Sequence, residues 1–355
     1  MKFRSLLFLL ITLLIGWETN AQSNENLSFS GDARFAYLGS SSEPGDLFDG
    51  NSFLRVRVGG NYTFNENSSF TARLATTQSN DFPAVDFAIA PEGGGIDNGT
   101  IAIDNFYYRY KNEEWDVKVG RFQYNSAVKS NAGRSIFRFQ SNNVNNHWSD
   151  GFHAKKYLND EWFGEVVGEY QNRGNTSYTY RSLLNFGNNE HNVAAYIGAQ
   201  NHTRDDNGFI QKGFGLFVAP DAFLKPDGYS TYAGLLAQLV HDTPVESFQG
   251  GSFRIAAEAG QNVNAAEFGD GTILNLSFGV NNFADQHEIM IEFTKIGAEW
   301  QTANVYAPNA DEMEIRYRYF FSKKFNIDFR YRIRDSRYDF VDTNYNAFAR
   351  ATYKF

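Results

Sequence analysis

"EIRYRYFFSKKFNIDFRYRIR", Glu314 to Arg334, switches between charged and apolar side chains at nearly every residue. From Glu312 onward, Met313, Ile315, Tyr317, Tyr319 and Phe321 share one parity, against Glu312, Glu314, Arg316 and Arg318. After "SKK", Phe325, Ile327, Phe329, Tyr331 and Ile333 oppose Lys324, Asn326, Asp328, Arg330, Arg332 and Arg334. Successive side chains of a β-strand point to opposite faces, so each half is a strand with one apolar and one charged face. A helix would scatter the same residues around its circumference, which excludes it. "SKK" is then the tight turn of a hairpin.

The pattern recurs along the chain. Leu27, Phe29, Ala33, Phe35 and Tyr37 oppose Ser28, Ser30, Asp32 and Arg34; Leu54, Val56, Val58, Tyr62 and Phe64 oppose Arg55, Arg57, Asn61 and Thr63. Phe70, Ala72 and Leu74 oppose Thr71 and Arg73, and Trp162, Val166 and Tyr170 oppose Glu165, Glu169 and Gln171. Residues 253–260 and 287–296 repeat it with Arg254, Glu258, Glu288 and Glu292 on the polar side. The last segment sets Tyr345, Ala347, Ala349, Ala351, Tyr353 and Phe355 against Asn346, Arg350, Thr352 and Lys354. Connections alternate as well: "NENS" (65–68), "KNEE" (111–114), "LNDE" (158–161) and "SKK" are short, whereas 39–50, 79–99, 123–146 and 298–310 are long and polar.

Two architectures have such strands. A secreted all-β domain with one wet face is the first. The charged parity holds too many ions for any packed core, since unpaired buried charge is very costly. The apolar parity carries aromatics near strand ends, as the girdles of a membrane barrel do. With 17% aromatic residues, 34 Phe and 20 Tyr among them, the chain reads as an all-β transmembrane antiparallel up-and-down β-barrel, with short periplasmic turns and long extracellular loops. Strands of about 9–11 residues give about 16 of them; 14 or 18 are also compatible, because the alternation fails between 202 and 250.

The compartment agrees. Lys2 and Arg4, the apolar run Leu6–Ile15 and a small-residue site after Ala21 form a secretory signal peptide over 1–21, which leaves 22–355 as one barrel domain. Its removal shifts the formal net charge from −9 to −10, a poor balance for nucleic-acid binding. Zero cysteines exclude a disulfide framework, thiol catalysis and thiolate metal sites.

Three stretches, "FLRVRVGGNYTFNENSSFTARLATTQSNDFP" (53–83), "IDNFYYRYKNEEWDVKVGRFQ" (103–123) and "HWSDGFHAKKY" (147–157), together with the closing strands up to Phe355, resemble the porin-like proteins of Gram-negative outer membranes, a group similar to the phosphate-selective porins. The resemblance covers the first third and the last fifth of the chain. The family often carries Asn-Pro after its "GR" element and Pro-Glu-Gly after the next strand's aspartate; here "GRFQYNS" and "SDGF" stand instead. It implies a passive channel in the outer membrane, among lipid and lipopolysaccharide, passing small hydrophilic solutes. Phe355 resembles the signal by which such barrels reach the barrel-assembly machinery. Monomer and homotrimer both stay open.

Closure of such a barrel sets the first strands beside the last. Arg34, Arg55, Arg57, Arg73, Arg316, Arg318, Arg330, Arg332, Arg334 and Arg350 are then expected on one basic, pore-lining wall. Arginine suits this role, being always charged and rich in donors for passing carboxylates and other anions. In general porins the third long loop folds inward. Here 123–146 carries Lys129, Arg134 and Arg138 and no acid, so the resemblance implies a basic constriction and an expected anion preference. Against it stand Asp81, Asp86, Glu92 and Asp97 of the second loop. The alternative is that the arginines pair with Asp32, Asp328, Glu312 and Glu314 and merely satisfy the wall.

Two other classes compete. "NHWSDGFH" places His147 two residues before Ser149, which resembles the His-x-Ser-x-Gly element of outer-membrane phospholipases, with Asn159 as a weak third member. A closed structural barrel is the other. The remaining histidines lack metal-ligand spacing, and no Gly-rich loop opens a helix, so neither a metal nor another cofactor is expected.

Overall fold

The computed structural model describes residues 25–44, 49–79, 86–87, 100–124, 149–172, 191–201, 203–225, 228–264, 270–300 and 309–355. They form strands β1 (Leu27–Ser41), β2 (Asp49–Asn65), β3 (Ser68–Ser79), the two-residue β4 (Asp86–Phe87), β5 (Thr100–Lys111), β6 (Trp115–Phe122), β7 (Ser149–Tyr157), β8 (Trp162–Asn172) and β9 (His191–Asn201). These are followed by β10 (Phe209–Lys225), β11 (Gly228–Pro244), β12 (Ser252–Asn262), β13 (Thr272–Phe283), β14 (His287–Ile296), β15 (Ala310–Phe320), β16 (Phe325–Ser336) and β17 (Asn344–Lys354). Apart from β4, which pairs parallel with β5, each strand runs antiparallel to its neighbours, and β1 bonds both β2 and β17. The result is a closed 16-strand antiparallel barrel.

The hairpin from 314 to 334 is β15–β16, with Arg316 opposite Arg330 and Ile315 opposite Tyr331. Throughout the barrel the apolar parity faces out, as at Phe35, Leu74, Val119, Ile197, Phe214, Leu276, Ile289 and Phe329, all exposed. At the short-turn end these residues become aromatic and touch: Tyr62 meets Phe64 at 5.1 Å, Tyr319 meets Phe321 at 4.6 Å, and Phe321 stacks on Phe325 at 5.0 Å. The turns are capped by their own side chains. Asn112 Oδ1 accepts the N–H groups of Glu114 and Trp115, and Asn159 Oδ1 those of Glu161 and Trp162. Ser322 Oγ does the same for Lys324 and Phe325. Such Asx and Ser turns satisfy backbone donors that the strands leave open.

The stretch where alternation fails, 202–250, is the long hairpin β10–β11. Its outer face is apolar, with Phe214, Leu235 and Leu239, but so is its inner face, with Phe217, Tyr232, Leu236 and Val240 buried. A strand apolar on both faces has no period-2 signal to read, and a bulge between Ala219 and Phe223 shifts the register.

Beyond β17, Phe355 keeps the closure going: Gly31 N donates to its carbonyl at 3.1 Å, and Phe355 N donates to Gly31 O at 3.2 Å. A Cβ at Gly31 would overlap both the Phe355 ring and the Arg57 carbonyl. Gly31→Val is therefore expected to lower the yield of closed barrel, read as the fraction that migrates as folded on unheated gels. A wild-type fraction would show that this seat is dispensable.

Candidate functional site inside the barrel

All ten predicted arginines point inward, on the adjoining strands β15, β16, β17, β1, β2 and β3. They do not form a bare basic wall, because carboxylates from the same strands pair with them. Asp32 is the first hub: Arg55 Nη2 lies 3.0 Å from Oδ1, Arg57 Nε donates to Oδ2 at 2.6 Å, and Arg34 Nε stands 3.5 Å away. Asp328 is the second, receiving Arg316 Nε at 2.9 Å, Arg330 Nε at 2.9 Å, Arg350 Nη2 at 3.0 Å and Arg318 Nε at 3.3 Å. Arg318 also reaches Glu288 at 2.9 Å. Seven guanidiniums thus converge on three carboxylates on one side of the barrel.

The other three arginines are matched one to one. Arg73 holds Asp104 through two bonds of 2.8 and 2.9 Å, Arg332 holds Glu314 at 2.8 Å, and Arg334 holds Glu312 at 2.7 Å. The alternative pairing with Asp32, Asp328, Glu312 and Glu314 is therefore present in the wall. Within the cluster of seven, Arg55 and Arg316 are buried, whereas Arg34 and Arg318 keep 20% and 22% of their side chains exposed to the lumen. These two are the most exposed side chains of the seven.

The facing half of the lumen combines an apolar cluster with buried carboxylates, Glu165 and Glu169 of β8, Glu258 of β12 and Glu292 of β14. Phe122, Tyr124, Val167, Ala194, Tyr196, Phe217, Tyr232, Leu236, Ile273, Ile296, Trp300 and Ala310 form one buried cluster inside the barrel. Its formation depends on the chain turning inward after β6. Gln123 accepts from Arg57 Nη1 at 2.9 Å, back toward β2, while the Tyr124 ring lies 6.0 Å from Tyr196 of β9 and its hydroxyl donates to Glu165 at 3.3 Å. The first two residues after β6 thus reach toward β2 on one side and toward β8 and β9 on the other. Beneath it, His153 Nε2 sits 2.9 Å from Glu165 Oε2, with Lys155 3.7 Å from the same oxygen. Lys129, Arg134 and Arg138 lie outside the described residues.

The "GRF" and "SDGF" motifs meet across the sheet. Gly120 stands opposite Gly151 and Arg121 opposite Asp150. Arg121 clamps Asp150 through Nε at 2.8 Å and Nη2 at 2.9 Å, and donates a third bond to Ile103 O at 3.0 Å. Asp150 is thus committed to the wall; His147 lies outside the described residues, and Asn159 caps the β7–β8 turn. The clamp and the inward aromatics were not anticipated from sequence. A basic and an acidic residue, each beside a glycine near the root of one long loop, is the signal that marks the clamp. At the loop end, Asp270 receives the Thr272 hydroxyl, which holds its carboxyl below the ordinary carboxylate range.

No family model matches the chain, and no curated protein matches it. Solved structures do. It is similar to Pseudomonas putida OprB, with a TM-score of 0.67 and 12% identity over 94% of this chain and 95% of that one. Salmonella typhi OmpF follows at 0.59 and 14%, covering 93% and 98%. Pseudomonas aeruginosa OccK2, solved in complex with glucuronate, gives 0.53 and 11%, covering 93% and 96%. These neighbours are Gram-negative outer-membrane porins; at such identities the likeness is one of fold.

Proposed function

We propose that the protein is an outer-membrane channel for passive diffusion of small hydrophilic solutes, with a preference for anions. The observation that carries the preference is the convergence of seven arginines around Asp32, Asp328 and Glu288 on one side of the barrel. Barrels of about 16 strands leave an aqueous channel, and a pore lined by arginines favours anions. The apolar cluster fills the side away from the arginines, so a solute path runs along them. Small carboxylates and phosphorylated solutes suit planar guanidinium donors, and glucuronate, held by OccK2, is of that kind.

The rest of the reading goes with this. Residues 1–21 are a cleaved export signal, the apolar outer face meets outer-membrane lipid and lipopolysaccharide, and Phe355 addresses the assembly machinery. Lys129, Arg134 and Arg138 add to the basic side of the constriction. Homotrimer and monomer are both compatible with these features.

Liposome swelling tests the channel and its solute class together. Vesicles holding the protein are expected to swell in both a neutral sugar and its carboxylated analogue, faster in the latter than size alone allows. Arg34→Gln with Arg318→Gln should slow the anionic solute several-fold and spare the neutral one, because these are the two most exposed side chains of the cluster. No swelling at all would move the weight to ester hydrolysis, read with Ser149→Ala as the control.

A further inference from the structure

Among the described residues, a second long connection also sends its first residues into the lumen. Just after β14, Gly297 N donates to Thr272 O at 2.7 Å, Glu299 N to Asp270 O at 3.0 Å and Trp300 N to Gly297 O at 3.3 Å. Asn262 Nδ2 donates to Glu299 O at 3.0 Å, which ties this tight fold to the loop end of β12. The indole of Trp300 is thereby delivered to the inner face of the wall. There Gly260 occupies an inward position of β12, between inward Glu258 and Asn262, and a Cβ on it would overlap the Trp300 ring. Tyr232 of β11 meets the ring edge-on at 6.3 Å, and Trp300 is 2% exposed. Its indole N–H has no hydrogen-bond partner among the described residues, so the seat selects the ring by shape.

A glycine at an inward wall position usually leaves the lumen wider by one side chain. Here the space is taken by the largest side chain available, brought in from a loop. The same device recurs at Tyr196, whose ring lies where side chains at Gly198 and Gly215 would otherwise stand.

We propose that Trp300 is a size-determining residue of the channel. Seated on Gly260, it fills the β11–β13 side of the lumen near the loop end and holds the open path against the arginine wall. This rests on the channel reading above. Removing the indole opens that side without moving any charge, so bore and selectivity should separate.

The test is single-channel conductance in planar bilayers, with exclusion of polyethylene glycols of graded size. Trp300→Ala should conduct more and admit larger polymers, Trp300→Phe should stay near wild type, and neither should move the reversal potential. Because the chain has no cysteine, Trp300→Cys gives a second reading: its raised conductance should fall on labelling with a bulky thiol reagent. Wild-type conductance and cut-off in Trp300→Ala, or no response of Trp300→Cys to labelling, would overturn the assignment. Should Trp300→Ala not fold, Gly260→Ala carries the test. Its Cβ pushes the indole into the path, so conductance should drop, and an unchanged value would again overturn the proposal. A wild-type protein that does not conduct would sink the channel reading and this assignment with it; conduction with unresponsive variants would sink the assignment alone.

Discussion

Replacing Asp328 by alanine is expected to cost the barrel about 3–5 kcal/mol and most of its folded yield, because breaking a buried ion pair leaves uncompensated charge behind. Asp328 is 0% exposed and is the carboxylate on which Arg316, Arg318, Arg330 and Arg350 converge from β15, β16 and β17. Without it four guanidiniums crowd one patch of wall, and three of them, Arg316, Arg330 and Arg350, are themselves buried. Repulsion among them acts across the strands that complete the barrel. Asp328→Asn keeps an acceptor oxygen but not the charge, so an intermediate loss is expected. High salt should recover part of it, since counterions screen the exposed edge of the patch. The measurement is a urea midpoint for refolding into vesicles. A wild-type midpoint for Asp328→Ala would mean that the arginines find other partners.

Arg121→Ala should be nearly as damaging, for a more local reason. Arg121 and Asp150 are both buried and bonded in a two-point fork, and Arg121 also satisfies the Ile103 carbonyl. Removing either partner strands the other, at about 3–5 kcal/mol. The double variant Arg121→Ala/Asp150→Ala is expected to be less destabilised than the sum of the two singles, the signature of a direct pair. Lysine should not rescue position 121, as an ammonium cannot make the planar fork. The clamp sits where the third long connection leaves β6 and returns to β7. Beside it Gly120 (φ 123°) runs so close to β5 that a Cβ would overlap the Phe106 carbonyl. Channels of Arg121→Ala that do insert should therefore show noisier open levels than wild type. Strict additivity of the singles would contradict the pairing.

Much of this barrel is written in a period of two. The β15–β16 hairpin could be read residue by residue, because one parity meets lipid and the other meets charge. Closure of β1 on β17 followed from the architecture, and with it the gathering of distant arginines on one wall. The partners of those arginines were harder to read. Asp32 meets Arg57 in register only after β1 and β2 are aligned, and Asp328 collects donors from three strands. A shift of one residue would break every such pair, and parity is blind to which aligned position is occupied. The β10–β11 hairpin was opaque because Phe217, Tyr232 and Leu236 make its inner face apolar too. Those residues have meaning only with Tyr124 and Trp300, which arrive from loops that no alternation describes.

A bias toward anions set by the arginines would be read in the reversal potential of single channels under a potassium chloride gradient. Stepwise conductance with a chloride-biased reversal is expected, weakened toward neutrality in Arg34→Gln/Arg318→Gln. A potassium-biased reversal in the wild type would contradict it, since a pore lined by arginines favours anions.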